Sequence, residues 1–186
     1  MDNWRSYEPG REHERYSLCC CSASAEPEWQ NLLATLLPYI YPLLQQLLPQ
    51  GYKIKVVGGD AVYGKHEFNQ DLHGDGFWWR ESSLEFACTG FLVISVCTKQ
   101  ISLTNGPLRF IPKPHMYNFH RGEEECPPPA LGSSDEADLF ASVPGGGLVP
   151  MEVGDVFIRD AAVWHAGLSN FESHTRFLPG FQAHYM

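Results

Sequence analysis

The sequence predicts a mainly β protein, and three observations support this fold class. The 186 residues include 17 Gly and 14 Pro and are 44% hydrophobic and 13% aromatic, which is typical of short strands separated by many turns. The apolar runs do not alternate with helical segments, which argues against a parallel βαβ sheet. One helical pattern occurs near the amino terminus. These features predict a double-stranded β-helix, a jelly roll of the cupin type, with an N-terminal helical segment packed outside the sheet.

A helix is predicted from Glu28 to Leu48. Pro38 and Pro42 would each remove a backbone donor, so we expect either one kinked helix or two short ones. The apolar residues of this segment recur at spacings of three and four, as on a helix with one buried face. They are Leu32, Leu33, Leu36, Leu37, Ile40, Leu44, Leu47 and Leu48.

Five later segments have the composition of strands. They are 53–63, 90–98, 109–111, 155–165 and 175–185. Gly58-Gly59 is expected to break the first, and the continuous apolar run of the second predicts burial on both faces. The last two are expected to pair, because turn residues between them can reverse the chain. Pro179 places the final strand at an edge or a bulge, and its alternating polar face suits a barrel with an internal cavity.

Two segments lack any periodic pattern. Residues 1–26 are polar and charged, so we expect a flexible N-terminus. Residues 27–186 are predicted to form a single jelly-roll domain, since this length buries one substantial core. Within it, 117–149 combines three consecutive prolines, three consecutive glycines and acidic clusters. Long loops of this kind are often functional, so we expect a lid or an insertion loop.

The charge and the cysteines limit the expected partners and compartment. A net charge of −9 repels phosphate backbones and anionic lipids, so we expect no nucleic-acid or membrane partner. The six cysteines show no Cys-x-x-Cys spacing, and no signal peptide precedes them. We therefore expect reduced thiols in a cytoplasmic protein.

Residues able to bind a metal occur in two distant segments. In Gln70-Asp71-Leu72-His73-Gly74-Asp75-Gly76, an extended chain directs His73 and Asp75 to the same side. A second histidine, His165, follows the strand-like run that begins at Gly154. One His-x-Asp pair with one distant His is typical of the facial triad of non-haem Fe(II) oxygenases, which leaves three of six octahedral positions open. The sequence thus predicts a metal site with room for oxygen and a co-substrate.

Two further features supply context for this pattern. The first is Leu103-Thr104-Asn105-Gly106-Pro107-Leu108-Arg109-Phe110-Ile111-Pro112-Lys113-Pro114-His115, and the second is Arg176, eleven residues after His165. From about Gly58 to Tyr185, the order and spacing of these segments resemble the phytanoyl-CoA dioxygenase family of Fe(II)/2-oxoglutarate oxygenases. Lys113-Pro114 departs from the Gly-Ser pair that is more usual there.

The resemblance implies a role for each of these residues. His73, Asp75 and His165 would be the iron ligands and the catalytic set. Arg176 would bind the distal carboxylate of the co-substrate 2-oxoglutarate, with a structural ion pair as the alternative role, and Asn105 would belong to the same co-substrate site. The implied activity uses O2 to hydroxylate an unactivated carbon of a small-molecule substrate, with release of succinate and CO2.

Other functions remain open at this point. Halogenation is disfavoured by Asp75, because related halogenases lack the carboxylate ligand. A catalytically silent jelly-roll binding protein would be favoured by loss of a ligand, and none is lost. A zinc-dependent hydrolase could use the same His/Asp/His set, but such enzymes usually place a carboxylate base beside the metal-bound water. No His-Glu-x-x-His or comparable pattern is present.

Overall fold

One helix and two antiparallel sheets form the computed structural model, which describes residues 15–19, 27–48, 51–75, 91–111, 132–135, 137–138, 146–161 and 163–185. The elements are β1 (Arg15–Cys19), α1 (Pro27–Leu47), β2 (Tyr52–Val62), β3 (Phe91–Val96), β4 (Leu108–Ile111), β5 (Gly147–Val149), β6 (Val156–Asp160), β7 (Trp164–Gly167) and β8 (Arg176–Tyr185). A five-stranded sheet has the order β1-β2-β8-β3-β6, and a three-stranded sheet has the order β5-β4-β7. The predicted mainly β class is confirmed.

Helix α1 runs through both of its prolines, so the alternative of two short helices is wrong. The helix packs on one face of the larger sheet, against Ile94 and Phe181 among others, which confirms its predicted position. The buried side chains of the helix are Leu36, Ile40 and Leu44. Burying three such side chains contributes about 5 to 9 kcal/mol. Two interior prolines cost about 6 kcal/mol, so the packing can offset them.

Strand β2 continues through Gly58 and Gly59, where a break was predicted. Its register against β8 shifts between Val56 and Gly58, so a bulge absorbs the irregularity. Gly59 has a φ of 121°, and a Cβ there would lie 2.2 Å from the carbonyl oxygen of Leu178. Only glycine therefore allows the two strands to approach this closely.

The N-terminal segment contributes a strand to the larger sheet. β1 pairs with β2 from Arg15↔Val62 to Cys19↔Gly58, which corrects the expectation of a flexible N-terminus for these five residues. The other residues of 1–26 lie outside the described residues. Most of the predicted lid, 117–149, also lies outside them, and its last three residues form β5, which pairs with β4.

The segment 155–165, predicted as one strand, forms two strands in different sheets. β6 pairs with β3, whereas β7 pairs with β4. A turn separates them, in which the Val163 N–H donates to the Asp160 carbonyl at 3.1 Å. The expected pairing of the last two segments is wrong, because β8 lies between β2 and β3. Pro179 is therefore not at an edge, but it lies opposite Gly59 near the bulge, which was the other predicted alternative.

The interior lies between the two sheets. On β8, Phe181 faces the helix, so the alternate residues Gln182 and His184 face the other way. Val93 of β3 pairs with Gln182 on one side and with Arg159 on the other. Directly paired residues share a face, so Arg159 lies on the interior face.

Two further features bear on the sequence expectations. Cys97 is a buried free thiol, and the side chains of the other cysteines lie outside the described part of the chain. Among the described residues, the structure contains no helix of sufficient length and apolar character to cross a membrane.

Candidate metal centre

His73 and His165 lie directly opposite each other on two paired backbone segments. The His73 N–H donates to the His165 carbonyl at 3.0 Å, and the His165 N–H donates to the His73 carbonyl at 2.9 Å. Residues paired in this way carry their side chains on the same face. The two imidazole centroids are 4.4 Å apart. Strand pairing therefore brings together two histidines from distant parts of the sequence.

Hydrogen bonds on both sides of His73 fix this register. Before it, the Gln70 N–H donates to the Gly167 carbonyl, and the Gly167 N–H donates to Oε1 of Gln70, each at 2.9 Å. After it, the Asp75 N–H donates to the Ala161 carbonyl at 2.7 Å. The extended chain places Asp75 on the same face as His73, as the His-x-Asp spacing predicts.

The structure brings the three predicted metal ligands together. Potential ligand atoms of His73, Asp75 and His165 all lie within 4.8 Å of one another. Nε2 of His73 is 3.9 Å from Oδ1 of Asp75, and Nε2 of His165 is 3.5 Å from Oδ2. Two imidazoles and one carboxylate form a donor set that suits divalent iron.

Hydrogen bonds determine which nitrogen of each imidazole is available to a metal. Nδ1 of His73 lies 2.7 Å from the Asp71 carbonyl, and Nδ1 of His165 lies 2.9 Å from the Val163 carbonyl. A carbonyl oxygen only accepts, so Nδ1 is the donor in both rings. In the neutral rings Nε2 then carries the lone pair, and in each ring it lies beside Asp75. Such outer bonds orient the histidine ligands of metal sites.

The electrostatics of the site keep the donors in the form that binds metal. Burial lowers the pKa of His165 to about 3, and the neighbouring Arg159 guanidinium acts in the same direction. Burial by itself would raise the pKa of Asp75, but His165 and Arg159 hold that pKa well below its usual range. Near neutral pH the site therefore offers a neutral His165 imidazole and an ionised Asp75 carboxylate.

Arg159 is part of this site, although the sequence did not single it out. Its Nη2 hydrogen-bonds to Oδ2 of Asp75 and lies 3.1 Å from Nε2 of His165. Its Nε and Nη1 are buried and have no hydrogen-bond partner among the described residues. One feature of the sequence could have identified Arg159, which lies two residues after Phe157 on a predicted strand. A charged residue at a core-facing strand position is uncommon unless it is paired.

Arg176 lies in the interior at the start of β8, with 2% of its surface exposed. Its Nη2 donates to Oδ2 of Asp60 at 3.2 Å, so the ion pair that was the alternative role for Arg176 is present, with a partner that the sequence did not identify. Gly106 packs against the same guanidinium, since a Cβ there would lie 3.4 Å from Nε of Arg176. The turn that contains Asn105 and Gly106 is thus adjacent to Arg176.

Asn105 is buried, and its side-chain amide holds its own turn. Oδ1 accepts from the Ser102 N–H at 2.8 Å, and Nδ2 donates to the Gln100 carbonyl at 2.9 Å. These bonds account for a structural role. A contact between Asn105 and a co-substrate stays a prediction.

A jelly roll with two imidazoles and one carboxylate on its interior face has the donor set of the non-haem iron oxygenases. The chain belongs to the phytanoyl-CoA dioxygenase (PhyH) family, whose model matches residues 21–177. The resemblance seen in the sequence is thereby confirmed. No curated protein sequence matches the chain.

Solved structures of low sequence identity share the fold. EctD from S. alaskensis in its apoform is 17% identical with a TM-score of 0.65, and the match covers 99% of this chain and 61% of the EctD chain. The non-heme alpha ketoglutarate dependent carbocyclase SnoK from nogalamycin biosynthesis is 17% identical with a TM-score of 0.64, and the match covers 98% of this chain and 68% of that one. The chain therefore spans less than two thirds of the EctD length. These likenesses confirm the predicted jelly-roll fold.

Proposed function

We propose that this chain is a non-haem Fe(II)- and 2-oxoglutarate-dependent dioxygenase that hydroxylates an unactivated carbon of a small-molecule substrate and releases succinate and CO2. The observation that carries the proposal is the convergence of His73, Asp75 and His165 on one point. Membership of the phytanoyl-CoA dioxygenase family supports the same class of reaction.

The three side chains would hold iron through two Nε2 atoms and a carboxylate oxygen. Bound iron would supply oxygen activation coupled to oxidative decarboxylation of the keto acid. The carbonyls of Asp71 and Val163 hold both imidazoles in the tautomer that a metal needs. A facial set of three protein ligands leaves positions for co-substrate and oxygen.

Arg176 is the residue we assign to the distal carboxylate of 2-oxoglutarate. Its guanidinium is buried, and its Nε has no hydrogen-bond partner among the described residues. The contact with Asp60 restricts the orientation of the planar group, which suits bidentate binding of a carboxylate. Phe110, paired with His165, and Phe157 meet edge to face with centroids 5.5 Å apart, so an apolar wall lies beside the metal ligands.

Anaerobic titration with Fe(II) and 2-oxoglutarate tests the proposal. The wild-type protein should develop the weak visible charge-transfer band of a keto acid chelated to iron, and should release succinate when oxygen is admitted. His165→Ala should abolish the band. His174→Ala is the matched control, because that histidine is 38% exposed at the side chain, pairs with Glu172 and is not one of the three clustered donors.

The same titration separates the proposal from the alternatives. Tight zinc binding with no band under any anaerobic condition would favour a hydrolase. Absence of both metal and keto-acid binding would favour a catalytically silent binding protein.

A further inference from the structure

We propose that Arg159 binds the metal-proximal carboxylate of the keto-acid co-substrate, so that two buried arginines, Arg159 and Arg176, receive its two carboxylates. This inference rests on the proposed function, and it assigns a second anion-binding residue to the same site.

Arg159 has unused hydrogen-bonding capacity. Only 8% of its side-chain surface is exposed, and neither Nε nor Nη1 has a partner among the described residues. Buried donors are nearly always satisfied, and an exception calls for a missing partner. A guanidinium carries five N–H donors in a planar fork that matches a carboxylate. A hydrogen bond to Asp75 uses only Nη2, so it does not explain why Nε and Nη1 are buried without partners.

Arg159 also lies beside two of the proposed metal ligands. Nη2 of Arg159 contacts Oδ2 of Asp75 and Nε2 of His165, which are two of the three proposed metal ligand atoms. A group that binds the metal beside these atoms therefore lies near the guanidinium. A metal would also take the Nε2 lone pair that now accepts from Arg159. The arginine would then lose one hydrogen bond and lie beside a second positive charge. An anionic group would accept the lost hydrogen bond and balance the added charge.

The charge of the site favours an anionic ligand. Asp75 and Arg159 carry opposite charges, and a guanidinium only donates, so Nε2 of His165, 3.1 Å from Nη2 of Arg159, is the acceptor of a neutral imidazole. A divalent metal would add two positive charges to a pair that is neutral overall. Such a site favours a carboxylate over a neutral ligand.

The test compares two keto acids that differ only in the distal carboxylate. 2-Oxoglutarate has both carboxylates, whereas 2-oxopentanoate keeps the proximal carboxylate and the keto group. Each is titrated calorimetrically into protein saturated with Mn(II), which avoids turnover. We expect Arg159→Leu to weaken both ligands by about 10- to 100-fold, the effect of losing a charged hydrogen bond. Arg176→Leu should weaken 2-oxoglutarate and leave 2-oxopentanoate within about threefold of wild type.

Arg109→Leu is the matched charge control. Arg109 is adjacent on β4 to Phe110, which contacts Phe157 in the interior, so the side chain of Arg109 points to the other face of that sheet. This variant removes the same formal charge and should bind both keto acids as wild type does.

Metal affinity, measured separately, distinguishes the proposal from mere support of Asp75. Suppose that Arg159→Leu binds Mn(II) less tightly but, once saturated with Mn(II), binds both keto acids as tightly as wild type does. That result would overturn the inference. If Arg159→Leu does not fold, Arg159→Gln keeps a polar amide beside Asp75 and is held to the same expectation and refutation. Failure of the Mn(II)-loaded wild type to bind either keto acid would instead overturn the proposed function.

Discussion

Replacing Arg176 with leucine tests the buried ion pair and the co-substrate assignment together. Arg176 is 2% exposed, and its Nη2 lies 3.2 Å from Oδ2 of Asp60. Removing one member of a buried pair costs about 3 to 5 kcal/mol of unfolding free energy. Because 22% of the Asp60 side chain is exposed, water can partly solvate the remaining charge, and we expect about 3 kcal/mol. For a chain of this size, this loss lowers Tm by about 6 to 12 °C.

The affinity for 2-oxoglutarate should fall in the same variant for a different reason. Leaving the distal carboxylate without its charged partner costs about 2 to 5 kcal/mol of binding, so the apparent constant should rise roughly 30-fold to a few thousand-fold. Binding of Fe(II) should persist, because His73, Asp75 and His165 are unchanged. Thermal denaturation measures the first effect, and anaerobic titration of the charge-transfer band measures the second.

The double variant Arg176→Leu/Asp60→Leu separates the two effects. Replacing both charges with apolar side chains should restore most of the lost stability, but it cannot restore the contact with the co-substrate. We therefore expect a Tm near that of wild type together with weak 2-oxoglutarate binding. If the double variant binds 2-oxoglutarate as tightly as wild type, Arg176 forms a structural ion pair only, and our assignment is wrong.

Three further predictions concern the fold and the predicted lid. Leu44→Ala should destabilise the protein by about 2 to 5 kcal/mol, because Leu44 is fully buried. Leu43→Ala should cost less than about 0.5 kcal/mol, because Leu43 is 44% exposed. Equal losses of unfolding free energy in chemical denaturation would contradict the helix packing. Gly59→Ala should cost about 2 to 6 kcal/mol from backbone strain and steric overlap together, and Gly154→Ala about 1 to 3 kcal/mol from strain alone. Both glycines have positive φ, but an added methyl group would lie within 4 Å of a backbone oxygen only at Gly59. Indistinguishable melting curves of the two variants would therefore refute the close approach of β2 and β8. Limited proteolysis within 117–149 should slow when Fe(II) and 2-oxoglutarate are added, and an unchanged cleavage rate would indicate a surface insertion instead of a lid.

The sequence alone determined the features that depend on local spacing and residue chemistry. The three- and four-residue spacing of leucines predicted the helix and its buried face, and the apolar run of β3 predicted a strand that is buried throughout. The His-x-Asp spacing placed His73 and Asp75 on one side of an extended segment. These predictions succeed because side-chain direction repeats with a fixed period along a regular backbone.

The tertiary structure decided which segments pair, because pairing depends on contacts between residues far apart in the chain. It divided 155–165 between two sheets and placed β8 between β2 and β3, whereas the pattern of turn residues had suggested a simple hairpin. It also set the register that opposes His73 to His165. Strand periodicity indicates which face a residue occupies, but it does not specify the partner strand.

The charged neighbours of the site were decided in the same way. Arg159 contacts Asp75, and Arg176 contacts Asp60, in each case between segments that the sequence did not bring together. The sequence likewise did not reveal the local hydrogen bonds of Asn105, because they depend on the folded turn. A sequence motif can identify the residues able to bind a metal or a carboxylate, but burial and through-space charge determine their ionisation and partners, and both arise only when the two sheets pack together.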